Sequence, residues 1–206
     1  MIKNKEKIAI DMDEVLADLM GAWINWGIKR STVNPEFISN TLEWDVSKSF
    51  PDLSKKEVYS YLNEEGTFLN LELIEGAKKA VKELHNYYDI YFLTAARNRT
   101  AFSEKIKWIE KHFGQTLSRK VIAVSDGVLK NTLSSSFDII IDDNPKYIEN
   151  STEDTITVLF TADHNKNVED SAFDYRANNW KELLKWLIER HQSRELELQG
   201  MLRKID

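Results

Sequence analysis

Short apolar runs without polar alternation recur along this chain, and they constrain its fold more than any other feature. They are rich in isoleucine, valine and leucine, and each is four or five residues long. A strand exposed on one face alternates apolar and polar residues, whereas a strand covered on both faces does not. The runs therefore predict buried strands of a parallel sheet. They occupy residues 7–10, 89–93, 121–124, 138–141 and 156–160.

Amphipathic stretches lie between these runs. Residues 75–88 place small and branched apolar side chains on one side of a helix, and residues 100–113 repeat the pattern before Gly114. Glycine is a common helix stop because it tolerates the left-handed backbone. Strands that alternate with helices predict an α/β fold, a Rossmann-like parallel sheet with helices on both faces.

One region interrupts the alternation. About eighty residues separate the first two predicted strands, many more than a crossover between neighbouring strands requires. Within them, residues 16–30 have a helical pattern, and Ser54-Lys55-Lys56-Glu57 is a capping box that predicts the start of another helix. We therefore expect a small helical cap, residues 19–75, inserted after the first strand. The remaining residues, 1–18 and 76–206, would form the core.

Composition narrows the class of protein. The 206 residues carry a net charge of −6 and include no cysteine. An acidic chain lacks the basic face that grips polymeric nucleic acid, and without cysteine there is no disulfide or thiolate zinc site. No apolar run approaches the roughly 20 residues of a membrane span, and no signal-peptide core precedes the first strand. We expect a cytoplasmic protein with neither a membrane nor a nucleic acid polymer as partner.

The first predicted strand ends in two acids, Asp11 and Asp13. Ligands bind at the carboxyl ends of strands in an open parallel sheet, and side chains two residues apart in extended chain point the same way. Two adjacent carboxylates repel unless a cation lies between them, which indicates a hard divalent ion such as Mg²⁺. The alternative is structural, with Asp13 capping a helix.

A second acid pair follows another apolar strand. Asp142 and Asp143 come directly after residues 138–141, so they would share the sheet edge with the first pair and could complete an oxygen cage for the metal. Asp-Asn-Pro is also an ordinary turn sequence. Two acid pairs at equivalent ends of two strands favour the metal site over the turn.

Two more residues suit a phosphate group beside such a metal. Thr94 closes the second predicted strand, where a hydroxyl and the free amides of a following helix can hold an anion. Lys130 precedes the second acid pair and would supply a cation for phosphate oxygens. Without the acids, a helix cap or turn residue would be the preferred interpretation of Thr94, and a solvated surface lysine that of Lys130.

Together these residues resemble, in order, the four motifs of the haloacid dehalogenase-like superfamily. Within it the chain is most similar to the 5′(3′)-deoxyribonucleotidases, the cytosolic type C 5′-nucleotidases. The first motif is similar except that Glu14 replaces the usual glycine, and the segment leaving the cap is similar except that Glu75 replaces a proline. Leu19 stands where the family commonly has a base-stacking phenylalanine. Besides the motifs, the segments that carry the resemblance are 11–18, 66–77, 159–165 and 179–184.

The resemblance implies a role for each acid. Asp11 would be the nucleophile that forms an aspartyl-phosphate, and Asp13 the acid that protonates the leaving oxygen and then activates water. Mg²⁺ would be held by Asp11, the backbone carbonyl of Asp13, and Asp143. Asp142 would support this site from behind. An acid beside the nucleophile favours phosphate-ester hydrolysis over dehalogenation, because a leaving alkoxide needs a proton and a halide does not.

The resemblance also implies a substrate, a nucleoside monophosphate. Thr94 and Lys130 would bind its phosphoryl oxygens, and aromatic residues of the cap would contact its base, with Tyr61, Phe68 and Trp44 as candidates. Each aromatic could instead serve only to pack the cap. A phosphatase of another small ester, such as a sugar phosphate, and a non-catalytic nucleotide-binding protein remain alternatives. The sequence leaves base preference, 5′ or 3′ specificity and a homodimer open.

Overall fold

A six-stranded, fully parallel sheet forms the centre of the computed structural model, in the order β3-β2-β1-β4-β5-β6. The structure describes residues 5–40, 45–125, 130–148 and 151–202. The predicted α/β fold is confirmed, and the sixth strand was not predicted. The strands are β1 (Lys7–Ile10), β2 (Asp89–Ala95), β3 (Val121–Val124), β4 (Ile139–Asp142), β5 (Ile156–Phe160) and β6 (Tyr175–Ala177).

The register of the central strands fixes where the acids emerge. Ile10, the last residue of β1, pairs with Phe92 of β2 and with Ile141 of β4. Both neighbours run parallel to β1, so the residues that follow Ile10 and Ile141 leave the sheet at the same edge. The backbone amide of Asp11 continues the ladder by donating to the carbonyl of Ile141 at 2.9 Å.

Alternation along β1 separates the core into two layers. Ile8 and Ile10 pack into a large cluster that contains the fully buried Trp108 and Trp180, whereas Ala9 packs into a smaller cluster on the other face. The indole N–H of Trp180 also donates a hydrogen bond to the carbonyl of Val15 at 2.7 Å. These strands are buried on both faces, which explains their unbroken apolar sequence.

The helices match the predicted pattern with shifted ends. The capping box is present, because Ser54 accepts from the amide of Glu57 and Glu57 accepts from the amide of Ser54. Asn98 caps the start of the helix Arg99–Phe113, and Gly114 ends this helix with a φ of +90°. The helices are α1 (Leu19–Ile28), α2 (Pro35–Asn40), α3 (Lys55–Ser60), α4 (Ala77–Leu84), α5 (Arg99–Phe113), α6 (Gln115–Ser118), α7 (Pro145–Ile148) and α8 (Trp180–Leu202).

Helices α1, α2 and α3 all lie between β1 and β2, as the sequence predicts for an inserted cap. The chain leaves and returns through adjacent segments: Asp18 donates its amide to the carbonyl of Glu72, and Ile74 donates to Leu16. Inside the insertion, the indole of Trp23 bonds the carbonyl of Val58 and joins α1 to α3. The cap and core boundaries stay a prediction. In the parts of the chain that the structure describes, no helix has both the length and the apolar composition needed to cross a bilayer.

Candidate active site

Three buried carboxylates meet at the edge of the sheet. Asp11 follows β1, Asp142 ends β4 and Asp143 comes next, and each offers an oxygen within 4.8 Å of the others. Each is at most 6% exposed. The juxtaposition follows from the parallel pairing of β1 with β4, which delivers both acid pairs to one place.

Lys130 is the buried cation of this cluster. Its ammonium lies 2.5 Å from Asp11 Oδ1 and 3.0 Å from Asp142 Oδ2, and it faces the ring of Tyr147 at 4.9 Å. Burial alone would disfavour the charged form, but Asp11 and Asp142 outweigh it and raise the pKa of Lys130. A lysine that looks ordinary in the sequence is therefore held charged inside the site.

The carboxylates carry more negative charge than Lys130 balances. Burial raises the pKa of Asp142 well above its usual range, and burial together with repulsion from Asp11 does the same for Asp143. The imidazole Nε2 of His164 lies 2.8 Å from Asp143 Oδ2. Clustered, buried carboxylate oxygens are the donors that Mg²⁺ prefers, so these residues fit the predicted ion.

Asp13 extends from the loop after Asp11 and is partly exposed. Its Oδ2 accepts a hydrogen bond from Lys105 at 2.7 Å, while Oδ1 is buried and has no hydrogen-bond partner among the described residues. Burial raises the pKa of the Asp13 carboxyl; Lys105 opposes this and Asp11 adds to it. Asp13 thus has one oxygen, Oδ2, held by Lys105, and a second, Oδ1, without a hydrogen-bond partner among the described residues.

Thr94 lies fully buried near the end of β2, and its hydroxyl accepts a hydrogen bond from Lys105 at 2.8 Å. The sequence singled out Thr94 but not Lys105. A signal was available, because Lys105 shares the buried stripe of α5 with Ala101, Trp108 and Ile109. A charge at a core-facing position of a helix needs a partner inside the protein.

A cavity of about 400 Å³ opens above these residues. Its floor includes Asp11, Asp13, Lys130 and Asp143, and the facing wall comes from the inserted helices. Arginine and lysine side chains also line it, whereas Thr94 is not among its lining residues. The aromatic and basic lining residues are Trp23, Tyr59, Phe68, Tyr147, Arg97, Lys105 and Lys146.

The predicted base-contacting residues are distributed unevenly. Phe68 lines the cavity, whereas Tyr61 is buried behind it and packs against Trp23 and Trp26 at ring-centroid distances of 6.2 and 5.5 Å. Tyr59 lines the cavity instead, because Tyr59 and Tyr61 are two residues apart in helical backbone and their side chains point to nearly opposite sides. Trp44 lies outside the described residues.

Tyr59 is held from several sides. Its ring meets Trp23 edge-on at 5.1 Å and lies under the Arg97 guanidinium at 5.5 Å, and its hydroxyl donates to Asp45 at 3.1 Å. Trp23 both packs against Tyr59 and lines the cavity. The facing wall is therefore aromatic and fixed in orientation.

Glu14 replaces the glycine that is usual at this position of the family pattern. Its φ is +57°, in the left-handed region that favours the glycine usual at this position. The carboxyl is largely buried, accepts a hydrogen bond from the amide of Met20 at 2.6 Å and lines the cavity. Burial raises its pKa to about 8, and Asp143 adds to the rise.

Comparisons with known proteins identify the family of this chain. The family model for 5′ nucleotidase, deoxy (pyrimidine), cytosolic type C protein matches residues 5–193. A putative 5′(3′)-deoxyribonucleotidase of Staphylococcus epidermidis is 33% identical over 181 residues, covering 87% of this chain and 94% of that protein. The 5′(3′)-deoxyribonucleotidase of Bacillus subtilis is 32% identical over 187 residues, covering 89% of this chain and 99% of that protein.

Solved structures share the fold at low sequence identity. A predicted phosphatase from Clostridium acetobutylicum has a TM-score of 0.61 at 13% identity, covering 91% of this chain and all of that one. A putative haloacid dehalogenase-like hydrolase from Bacillus subtilis, bound to magnesium, has a TM-score of 0.59 at 14% identity, covering 90% and 99%. With this fold and with a family match that spans most of its length, the chain belongs to the 5′ nucleotidase, deoxy (pyrimidine), cytosolic type C family, the deoxyribonucleotidase-like phosphatases.

Proposed function

We propose that this chain is a magnesium-dependent phosphomonoesterase that hydrolyses deoxyribonucleoside monophosphates to nucleoside and phosphate. The observation that carries the proposal is the buried cluster of Asp11, Asp142, Asp143 and Lys130 at the floor of a cavity with an aromatic opposite wall. The names of the two relatives support the substrate class. A cytoplasmic location is part of the proposal, supported by the family description.

Asp11 is the nucleophile in this proposal. Its carboxylate forms a bond to phosphorus as the ester P–O bond breaks, and the product is an aspartyl-phosphate. Lys130 touches Asp11 at 2.5 Å, so its charge lies where the phosphoryl oxygens must approach. Thr94 is assigned to the same oxygens. Asp11, Asp143 and the backbone carbonyl of Asp13 would hold magnesium, which would supply neutralisation of phosphoryl charge, and Asp142 would support these ligands.

Asp13 moves the proton in both steps. The raised pKa of its partly buried carboxyl favours the protonated form, which donates a proton to the departing alkoxide of the nucleoside. The resulting carboxylate then accepts a proton from water, whose oxygen attacks phosphorus in the aspartyl-phosphate. Phosphate leaves and the carboxylate of Asp11 is restored.

The wall opposite the acids suits a nucleobase. Tyr59, Phe68 and Trp23 present ring surfaces to the cavity, and stacking on such a ring stabilises a bound base by roughly 1–3 kcal/mol. Trp44 stays a candidate for the same wall. Tyr61 contributes by supporting Trp23 from behind. We assign this wall to a cap of residues 19–75 over a core of residues 1–18 and 76–206, and the substrate to single nucleotides rather than polymers.

A panel of phosphate esters tests the proposal. Purified protein is assayed with 5′- and 3′-deoxyribonucleotides, ribonucleotides and sugar phosphates, each with Mg²⁺ and with excess EDTA. We expect deoxyribonucleoside monophosphates to have the highest kcat/KM and EDTA to abolish turnover. Preference for sugar phosphates would replace this substrate with the alternative of a sugar phosphatase, and binding without turnover would indicate a nucleotide-binding protein. Size-exclusion chromatography with light scattering settles whether the protein is a homodimer.

A further inference from the structure

Lys105 is a buried lysine that no step above uses. It is 1% exposed, and its ammonium donates to Asp13 Oδ2 at 2.7 Å, to Thr94 Oγ1 at 2.8 Å and to the carbonyl oxygen of Ala95 at 2.6 Å. An ammonium group has three N–H donors, so all three are occupied and the group has one orientation. One cation thereby joins the predicted proton donor to the predicted phosphate-binding hydroxyl.

The place that Lys105 occupies would suit an apolar residue. It lies on the face of α5 that also buries Ala101, Trp108 and Ile109. Burying an ammonium there requires that each lost water contact be replaced, and replacement of a buried ion pair by apolar residues often leaves stability unchanged or improved. Core packing alone therefore gives no reason for a lysine at this position.

The contact with Lys105 gives the two carboxyl oxygens of Asp13 different roles. Lys105 holds Oδ2, while Oδ1 is buried and lacks a hydrogen-bond partner among the described residues. The carboxyl group thus cannot rotate freely, and Oδ1 is the atom left for proton transfer. A proton donor must lie within hydrogen-bond reach of its acceptor, so fixing the carboxyl contributes directly to rate.

Glu104, the residue before Lys105 in α5, holds the chain segment that covers the contact between Lys105 and Asp13. Glu104 is also buried, and its two oxygens accept from the amides of Gly66 at 2.6 Å and Phe68 at 3.0 Å. The ring of Phe68 lies 4.7 Å from the ammonium of Lys105. Two adjacent buried charges therefore hold the returning cap segment and the proton donor in one arrangement, with an aromatic face over the cation.

We propose that Lys105 is a positioning residue that holds the Asp13 carboxyl in place for proton transfer to the leaving group, with Thr94 fixed beside it. The inference rests on the proposed function in that Asp13 is the acid and the substrate a phosphate ester. It differs from a role for Lys105 as a phosphate ligand, which would affect every phosphate ester alike.

Leaving-group dependence distinguishes these roles. Lys105→Met is compared with wild type on a nucleoside 5′-monophosphate, whose alkoxide needs a proton, and on p-nitrophenyl phosphate, whose nitrophenolate does not. We expect kcat/KM for the nucleotide to fall on the order of 10²-fold, the contribution typical of a general acid, and that for p-nitrophenyl phosphate to fall far less. Lys107→Met, an exposed lysine on the same helix, should change neither value. Equal losses on both esters would overturn the proposal.

A double variant keeps the test decisive if Lys105→Met folds poorly. Asp13→Asn with Lys105→Met removes both partners, so no buried charge is left unpaired. If Lys105 acts through Asp13, the double variant should hydrolyse each ester at the rate of Asp13→Asn alone; a further large loss would contradict the proposal. Should wild type prefer another alkyl phosphate, the nucleotide assignment fails while this comparison stands, with that ester as the substrate.

Discussion

Carboxyl groups at the sheet edge and the carboxyl of Asp45 in the inserted segment have pKa values shifted in opposite directions. Burial raises the pKa of Asp142 and Asp143, which lie next to each other at the carboxyl end of β4. Asp45 is bonded by Lys55, Ser47 and the Tyr59 hydroxyl, and these contacts lower its pKa. An aspartate is thus destabilised in its charged form at the sheet edge and stabilised in the inserted segment, where it supports Tyr59.

The difference teaches what each wall is built for. Carboxylates that are destabilised by burial and mutual repulsion are stabilised when a cation binds between them, so their arrangement favours metal binding at a cost in stability. A stabilised carboxylate only fixes its neighbours, and Asp45 fixes Tyr59. Substitutions at the sheet edge should therefore affect chemistry and metal binding, whereas substitutions in the opposite wall should affect substrate affinity or stability.

The largest effect is expected at the nucleophile. Asp11→Asn removes the attacking carboxylate while keeping the shape of the side chain, so kcat should fall on the order of 10⁴-fold or more. The melting temperature should change little. Stopped assays on phosphate release measure the rate, and near-wild-type turnover would exclude Asp11 as the nucleophile.

Asp143→Asn should abolish turnover and increase the free energy of unfolding. Removing a buried charge whose pKa is raised should increase the free energy of unfolding by about 1 kcal/mol without metal. Turnover and the rise in melting temperature on adding Mg²⁺ should both be lost, because a ligand is missing. Thermal unfolding with and without Mg²⁺ measures this. Asp154→Asn, at an exposed acid, serves as the control, and an unchanged Mg²⁺ response in Asp143→Asn would contradict the assignment.

Two tyrosines in the cap separate affinity from stability. Tyr59→Ala should raise the KM for a nucleotide about tenfold through lost stacking, and leave the KM for glycerol 2-phosphate unchanged. Tyr61→Ala should instead lower the free energy of unfolding by about 3 kcal/mol, because its ring is buried against Trp23 and Trp26. Steady-state kinetics and urea unfolding of the two variants distinguish the roles, and the reverse pattern would mean that Tyr61 contacts the base.

The smallest expected effect concerns how the free energy of unfolding falls at acidic pH. The pKa of Asp45 is lowered on folding from its usual 3.8, so its contribution is complete above that value and is lost as pH falls below it. Asp45→Asn should weaken the wild-type loss of stability between about pH 5 and pH 2. Urea unfolding at a series of pH values measures the two slopes, and identical slopes would show that Asp45 contributes nothing.

Sequence reasoning succeeded where topology decides position. Parallel strands end at one sheet edge, so acids that follow β1 and β4 had to meet, and Asp11, Asp142 and Asp143 do. The six-stranded order could not be predicted in full, because β6 has only three residues and its sequence carries no apolar run. Lys130 was singled out only in combination with the acids and Thr94, since its own surroundings in the sequence are uninformative.

Sequence reasoning failed where local geometry decides direction. Tyr59 and Tyr61 point to nearly opposite sides of one stretch of helical backbone, and the sequence does not show which side faces the cavity; in the structure it is the side of Tyr59. Lys105 was missed because a lysine in an amphipathic helix is normally solvated. Its apolar neighbours at helical spacing were the signal.

One measurement tests the central claim most directly, a crystal structure with Mg²⁺ and beryllium fluoride, which mimics a phosphoryl group on a carboxylate. The account predicts beryllium bonded to a side-chain oxygen of Asp11, with Mg²⁺ touching Asp11 and Asp143 and Lys130 beside the fluorides. Beryllium fluoride on any other residue, or Mg²⁺ bound away from Asp11 and Asp143, would contradict it.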